Sequence, residues 1–147
     1  MRMLGSTADA EDAVQAALAS TWLARSRLDP RRPVAAYLTT ITLNKCRDRL
    51  RRRKAARLLG FGIFDAEQAI ATDGPDSETL VADRQELVRV QRAIERLPIS
   101  LREPLVLVTM DGRSQREAAE LLGVTEKTIE TRIYRARRQL RAKLDLL

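Results

Sequence analysis

Apolar positions along this chain fall at intervals of three and four, the period of a helix, and no stretch supports a strand. In the last third, Ile129, Ile133, Ala136, Leu140 and Leu144 follow at spacings of four, three, four and four, which puts them on one face against a core. A shorter helix precedes that one. Ser114 and Glu117 make a capping box at its start, Ala118 and Ala119 give it a small surface for close packing, and Gly123 ends it. Thr125 then caps the long helix, with Glu126 favourably placed in its first turn.

Earlier in the chain, residues 8–27 predict a helix with Asp9, Glu11 and Asp12 near its start. Its apolar residues Val14, Leu18 and Trp22 stand four apart and are expected to pack inward; Asp29-Pro30 breaks it. Pro33 opens a second long helix, running to residue 59, with Val34, Leu38 and Ile41 on an apolar side and Tyr37, Asn44 and Asp48 on a neighbouring face. The pattern then fails over 60–77, where Gly74-Pro75 and mostly acidic charge predict a linker, its start tacked to the first domain by Phe61, Ile63 and Phe64. Leu87, Val90, Ile94 and Leu97 mark the next helix, which Pro98 stops. A further helix is expected to start at Ser100, with Glu103 completing a second capping box, and to run through Leu105, Val106 and Val108 to Asp111-Gly112. Pro104 fits there because it would lie in or near the first turn. The expected fold is therefore all-α, with small helical domains at 1–59 and 78–147 joined by an acidic linker, the second a four-helix unit.

Charge sharpens this picture. The net charge of the 147 residues is +7, but residues 31–59 carry +9, residues 60–88 carry −6 and residues 89–147 carry +5. Two basic blocks around an acidic one suit two contacts with a polyanion. The second helix ends in Arg47, Arg49, Arg51, Arg52, Arg53, Lys54 and Arg57, whose mutual repulsion a polyanion would relieve, although cations near a helix C-terminus also complement its dipole. With one cysteine and no histidine, a disulfide framework and a Cys/His zinc site within one chain are excluded, and Cys46 is expected to be a small buried filler. No cofactor or metal is expected. There is no Gly-rich phosphate loop and no pair of carboxylates in an expected cleft, so an enzyme is not expected. No apolar run reaches membrane-spanning length and no signal-peptide core is present, which predicts a soluble cytoplasmic protein.

The stretch from Ser114 to Arg138 looks like a helix-turn-helix whose second helix leaves Lys127, Glu130, Thr131, Tyr134, Arg135 and Arg138 outside, the kind of face that reads a DNA groove. One departure is visible, since Arg132 fills a slot that many such units give to a second apolar residue. With both basic helices placed, the chain resembles the extracytoplasmic-function (ECF) group of the sigma-70 family, the exchangeable promoter-recognition subunits of bacterial RNA polymerase. The resemblance covers nearly the whole chain. DAEDAVQAAL is similar to the helix that grips the clamp of the polymerase largest subunit, AYLTTITLNKCRDRLRRR to the promoter-melting and −10-reading helix of region 2, and the segment from Arg96 to Arg141 to the −35-reading domain, region 4.

That resemblance implies roles for particular residues. Asp9, Asp12, Gln15 and Leu18 would bind polymerase. Asn44 would capture a flipped −10 base, with Tyr37 where the family usually has tryptophan, and Lys45, Arg49, Arg52 and Arg53 nearby on the DNA. Lys127, Thr128, Glu130, Thr131, Tyr134 and Arg135 would meet the −35 major groove, with Arg132 and Arg138 on phosphates. Glu130 stands where relatives are often basic, so it would favour cytosine over guanine. Implied partners are core RNA polymerase, promoter DNA and an anti-sigma factor, with no membrane insertion. The chain departs from the family pattern Gln-Glu-Ala-Phe at Gln15, Ala16, Ala17 and Leu18, which would weaken or shift the docking contact, and it is expected to lack the first helices of region 2. A stand-alone helix-turn-helix regulator binding operators as a dimer is the alternative, but it leaves the basic helix of 31–59 without a purpose. A sigma mimic that only titrates an anti-sigma factor would not need a basic recognition helix.

Overall fold

The computed structural model describes residues 3–59 and 78–144, so the expected linker and the contacts of Phe61, Ile63 and Phe64 lie outside the described residues. The elements are α1 (Thr7–Leu23), a 3-10 turn (Arg25–Arg27), α2 (Val34–Leu58), α3 (Glu78–Glu95), α4 (Ile99–Thr109), α5 (Gln115–Leu122) and α6 (Glu126–Leu144), with no strand among the described residues.

The hydroxyl of Ser6 accepts a hydrogen bond from the Asp9 amide and caps α1. The inward packing expected of Val14, Leu18 and Trp22 is not what the helix does: they are 44%, 50% and 67% exposed. Ala10, Ala13 and Ala17 are buried in their place. Three methyl side chains at spacings of three and four let α1 lie close along α2, whereas the larger residues would hold the helices apart. Trp22 instead carries the Arg25 guanidinium over its ring, 4.5 Å from the centroid. In α2 the buried residues are Leu43 and Cys46, the latter filling the core as expected, while Val34 stays exposed.

Among the later helices, α4 lies deepest. Leu101, Leu105, Val106 and Leu107 are buried, and Pro104 is fully enclosed in the second turn, beyond the first turn expected for it. Proline has no N–H to offer the Ser100 carbonyl, but Ser100 is exposed, so water can serve that oxygen. Ser100 does not cap the helix either. Pro98 holds the N-cap position without a side-chain bond, and Glu103 turns inward to Arg47. On α3, Leu87 is exposed and Ala93 and Ile94 take the core positions, followed by Leu97. The stripe of α6 is buried as its spacing requires, with Ile129 and Ala136 wholly enclosed, Ile133 and Leu144 nearly so, and Leu140 packed against the same cluster.

One buried cluster runs through both sets of helices, joining Met3, Leu4, Ala13, Leu43 and Cys46 to Leu97, Leu101, Leu105 and Leu107. Polar ties cross the same boundary. The Arg102 guanidinium, buried in α4, donates to the Met3 carbonyl at 2.7 Å, to the Leu97 carbonyl at 3.0 Å and to the Glu95 carbonyl. Arg113 donates to the Thr39 hydroxyl at 3.1 Å.

Candidate nucleic-acid interface

The geometry of α5 and α6 follows from local chemistry. Both halves of the Ser114–Glu117 capping box are formed, and Gly123 ends α5 in the left-handed region at φ 66, which a residue with a side chain adopts only with strain. The Val124 amide then donates to the Ala119 carbonyl at 3.0 Å, and Thr125 Oγ1 accepts from the Thr128 amide at 3.2 Å to start α6. With its stripe held in the core, α6 turns Lys127, Glu130, Tyr134, Arg135 and Arg138 outward, while Thr128, Thr131 and Arg132 are half-buried. Lys127 Nζ meets Glu130 Oε2 at 2.8 Å, and the Thr131 hydroxyl donates to the Lys127 carbonyl at 2.9 Å. Gln115, Glu130, Ile133, Tyr134, Arg137, Arg138 and Arg141 line a cleft of about 420 Å³. Sequence reasoning missed Gln115, Arg137 and Arg141 there. The two arginines stand four apart and could have been found on the helix; Gln115 arrives only through the α5–α6 turn.

The second basic surface is less simple. Tyr37, Asn44 and Arg52 are exposed on α2 and Lys45 is half-buried, but Arg49 and Arg53 both pair with Asp9, and Arg49 also reaches Asp12 at 3.6 Å. Arg53 donates further to the Leu4 carbonyl at 2.9 Å. Asp9, expected to face a partner, has its carboxylate buried between two arginines of its own chain. Asp12, Gln15 and Leu18 remain exposed along one side of α1.

Near the middle of α2, Arg47 Nε and Nη2 hold the two carboxylate oxygens of Glu103 at 2.5 and 3.0 Å, and its Nη1 donates to Asn44 Oδ1 at 2.9 Å. The bond to Glu103 raises the pKa of Arg47, and the bond from Arg51 lowers that of Asp48. Burial pushes the Cys46 thiol up and the Arg102 guanidinium down. Acids from α1, α2 and α4 thus relieve much of the repulsion for which a polyanion was expected. Lys45, Arg52 and Lys54 form no ion pair among the described residues and remain for an outside anion. The described residues hold no group of three or more metal-ligating side chains.

Residues 1–56 match the family model for sigma-70 region 2, and residues 87–140 match that for sigma-70, region 4. The chain is 40% identical over 141 residues to the RNA polymerase sigma factor CnrH of Cupriavidus metallidurans, covering 93% of this chain and 74% of the relative. It is 35% identical over 139 residues to the ECF sigma factor SigM of Mycobacterium tuberculosis, covering 95% of this chain and 66% of that one. Among solved structures, CnrH in complex with the cytosolic domain of CnrY matches with a TM-score of 0.68 at 37% identity, over 98% of this chain and 77% of that one. The sigma factor RpoE of Bartonella quintana, solved with the anti-sigma factor NepR, gives a TM-score of 0.74 at 26% identity, over 99% of this chain and 86% of that one. With both promoter-factor regions matched in order and relatives of this identity along nearly its whole length, the chain belongs to the ECF group of the sigma-70 family and is an RNA polymerase sigma factor, a transcription initiation factor and not an enzyme.

Proposed function

We propose that this sigma factor binds core RNA polymerase through the exposed side of α1, at Asp12, Gln15 and Leu18, and directs it to a promoter read at two places. Residues 1–59 and 78–147 act as the two reading domains and 60–77 as the connection between them. Asp9 supports α1 from within. The outer face of α6 enters the −35 major groove, where Lys127, Thr128, Thr131, Tyr134 and Arg135 meet base edges and Arg132 and Arg138 meet phosphates, and Glu130 accepts from the N4 amine of cytosine. The carrying observation is the separation of sides on α6: the apolar stripe is in the core, so Tyr134, Arg135 and Arg138 are held outward without closing on one another. On α2, Asn44 holds an unstacked base of the −10 strand, with Tyr37, Lys45, Arg49, Arg52 and Arg53 about it. Extrusion of a base costs a few kcal/mol, and its capture by a formed pocket offsets part of that cost.

One similar sigma factor has been solved with the anti-sigma factor NepR and another with the cytosolic domain of CnrY, which supports an anti-sigma factor as a third partner here. As a sigma factor the chain would act on polymerase and DNA in the cytoplasm; separately, no helix among the described residues is long and apolar enough to cross a membrane. The test is transcription by core polymerase on a matching promoter. Asn44→Ala is expected to lose open-complex formation while keeping polymerase binding; unchanged open complexes would remove Asn44 from the role. Arg135→Ala is expected to weaken −35 duplex binding by about 1–3 kcal/mol and leave scrambled duplex unaffected. An equal loss on both would make Arg135 a phosphate contact only.

A further inference from the structure

Arg47 lies outside the set of residues assigned to DNA, yet it stands one turn from Asn44 on α2, on the same side of the helix. Each of its three side-chain nitrogens donates within the chain. Two hold Glu103 through both carboxylate oxygens and the third holds Asn44 Oδ1. The Glu103 side chain is 6% exposed, whereas that of Arg47 is 34% exposed. The carboxylate is thus fixed in the body of α4 and the guanidinium sits at the edge of the joint. A phosphate presents to a guanidinium the same pair of anionic oxygens as a carboxylate. Glu103 therefore occupies Arg47 in the way a nucleic-acid backbone would, and the acceptor atom of Asn44 is taken up by the same group.

We propose that Arg47 is a phosphate contact for the −10 strand, kept occupied by Glu103 while the two sets of helices are closed, so that strand binding exchanges a protein carboxylate for a DNA phosphate. The proposal rests on the assignment of α2 to the −10 strand. The exchange moves α4 away from α2, parting the Arg113–Thr39 and Arg102–Met3 bonds, and it releases Asn44 in the same step. Asn44 and its neighbouring phosphate contact then become available together, which ties base capture to opening of the chain.

The test uses the full chain and a fluorescein-labelled single-stranded dodecamer of mixed sequence, followed by anisotropy across a salt series. Glu103→Gln keeps the side-chain shape and removes the competing charge, and is expected to tighten binding about tenfold. The log–log salt slope should stay close to that of the wild type, because Arg47 neutralises the same phosphate in both complexes. In the Arg47→Ala background the same Glu103→Gln change should do nothing. Tightening that persists without Arg47 would show only the effect of net charge and would overturn the proposal, as would unchanged affinity in the single variant. Thermal melting monitors the fold of each protein. If Glu103→Gln does not fold, Arg47→Ala carries the test, because alanine removes the phosphate contact and should lower the log–log salt slope of the wild type by about 0.7, the value for one neutralised phosphate on a single strand. An unchanged slope would overturn the proposal. Transcription by the wild-type chain with core polymerase separates the two levels. A transcribing chain with a flat Arg47–Glu103 cycle loses the inference alone; a chain that fails to transcribe any matching promoter loses the −10 assignment and the inference with it.

Discussion

In α6 the side that meets the core and the side that meets solvent are distinct: Ile129, Ile133 and Ala136 point inward, and Arg135, Arg137, Arg138 and Arg141 point outward. In α2 four arginines turn back on the protein. Arg47 engages α4, Arg49 and Arg53 engage α1, and Arg51 engages Asp48 on its own helix. Two helices of similar charge therefore offer very different surfaces to an anion. On α6 the cations are standing and exposed, whereas on α2 several must leave a carboxylate before they can bind anything else. Formal charge along a helix states how much cation is present, and the acids packed against it decide how much is available.

The comparison can be broken most severely through the α6 stripe. Ile129→Ala removes a fully enclosed side chain and is expected to cost about 2–5 kcal/mol in urea denaturation, with −35 duplex binding lost in proportion to unfolding. A smaller cost would mean that the stripe does not hold the recognition face in place. Asp9→Asn addresses the other helix. Removing one partner of a fully buried ion pair costs about 3–5 kcal/mol, but the side chains of Arg49 and Arg53 are 43% and 29% exposed and can regain water, so about 1–2 kcal/mol is expected. Lower polymerase affinity with unchanged stability would instead make Asp9 a docking residue. The smallest effect belongs to Glu117→Gln. The Ser114 amide and then its hydroxyl hold the Glu117 carboxyl below the usual glutamate range. Its contribution is complete above the ordinary glutamate pKa and fades as pH falls through the lowered value. Urea midpoints of the wild type and Glu117→Gln should therefore differ at neutral pH and converge on acidification.

The α5–α6 unit was legible in the sequence because everything that builds it is local: a capping box within four residues, a glycine at a left-handed turn and a stripe of one period. Glu103 shows the limit of such reading. Ser100 and Glu103 carry the same signature as Ser114 and Glu117, but a guanidinium from a residue 56 positions away captures the second glutamate, and no local pattern announces it. On α1 the period was right and the face was wrong. Ala10, Ala13 and Ala17 keep helical spacing as well as Val14, Leu18 and Trp22 do, and only the closeness of α2 decides between them. Residue size suggested the large set, while packing distance selected the small one. Pro104 is a further case in which burial outweighed a local rule, since its enclosed ring replaces a hydrogen bond lost to the helix.

Every acceptor that Arg102 uses is a main-chain oxygen, whatever side chains Met3, Glu95 and Leu97 carry. Sequence drift at those three positions leaves the cross-brace intact as long as the backbone path is kept. The brace thus has a single point of genetic vulnerability: a lysine at 102, shorter in its reach and without the flat fork, would abandon some of the three carbonyls at once, and no compensating side-chain change among the partners could restore them.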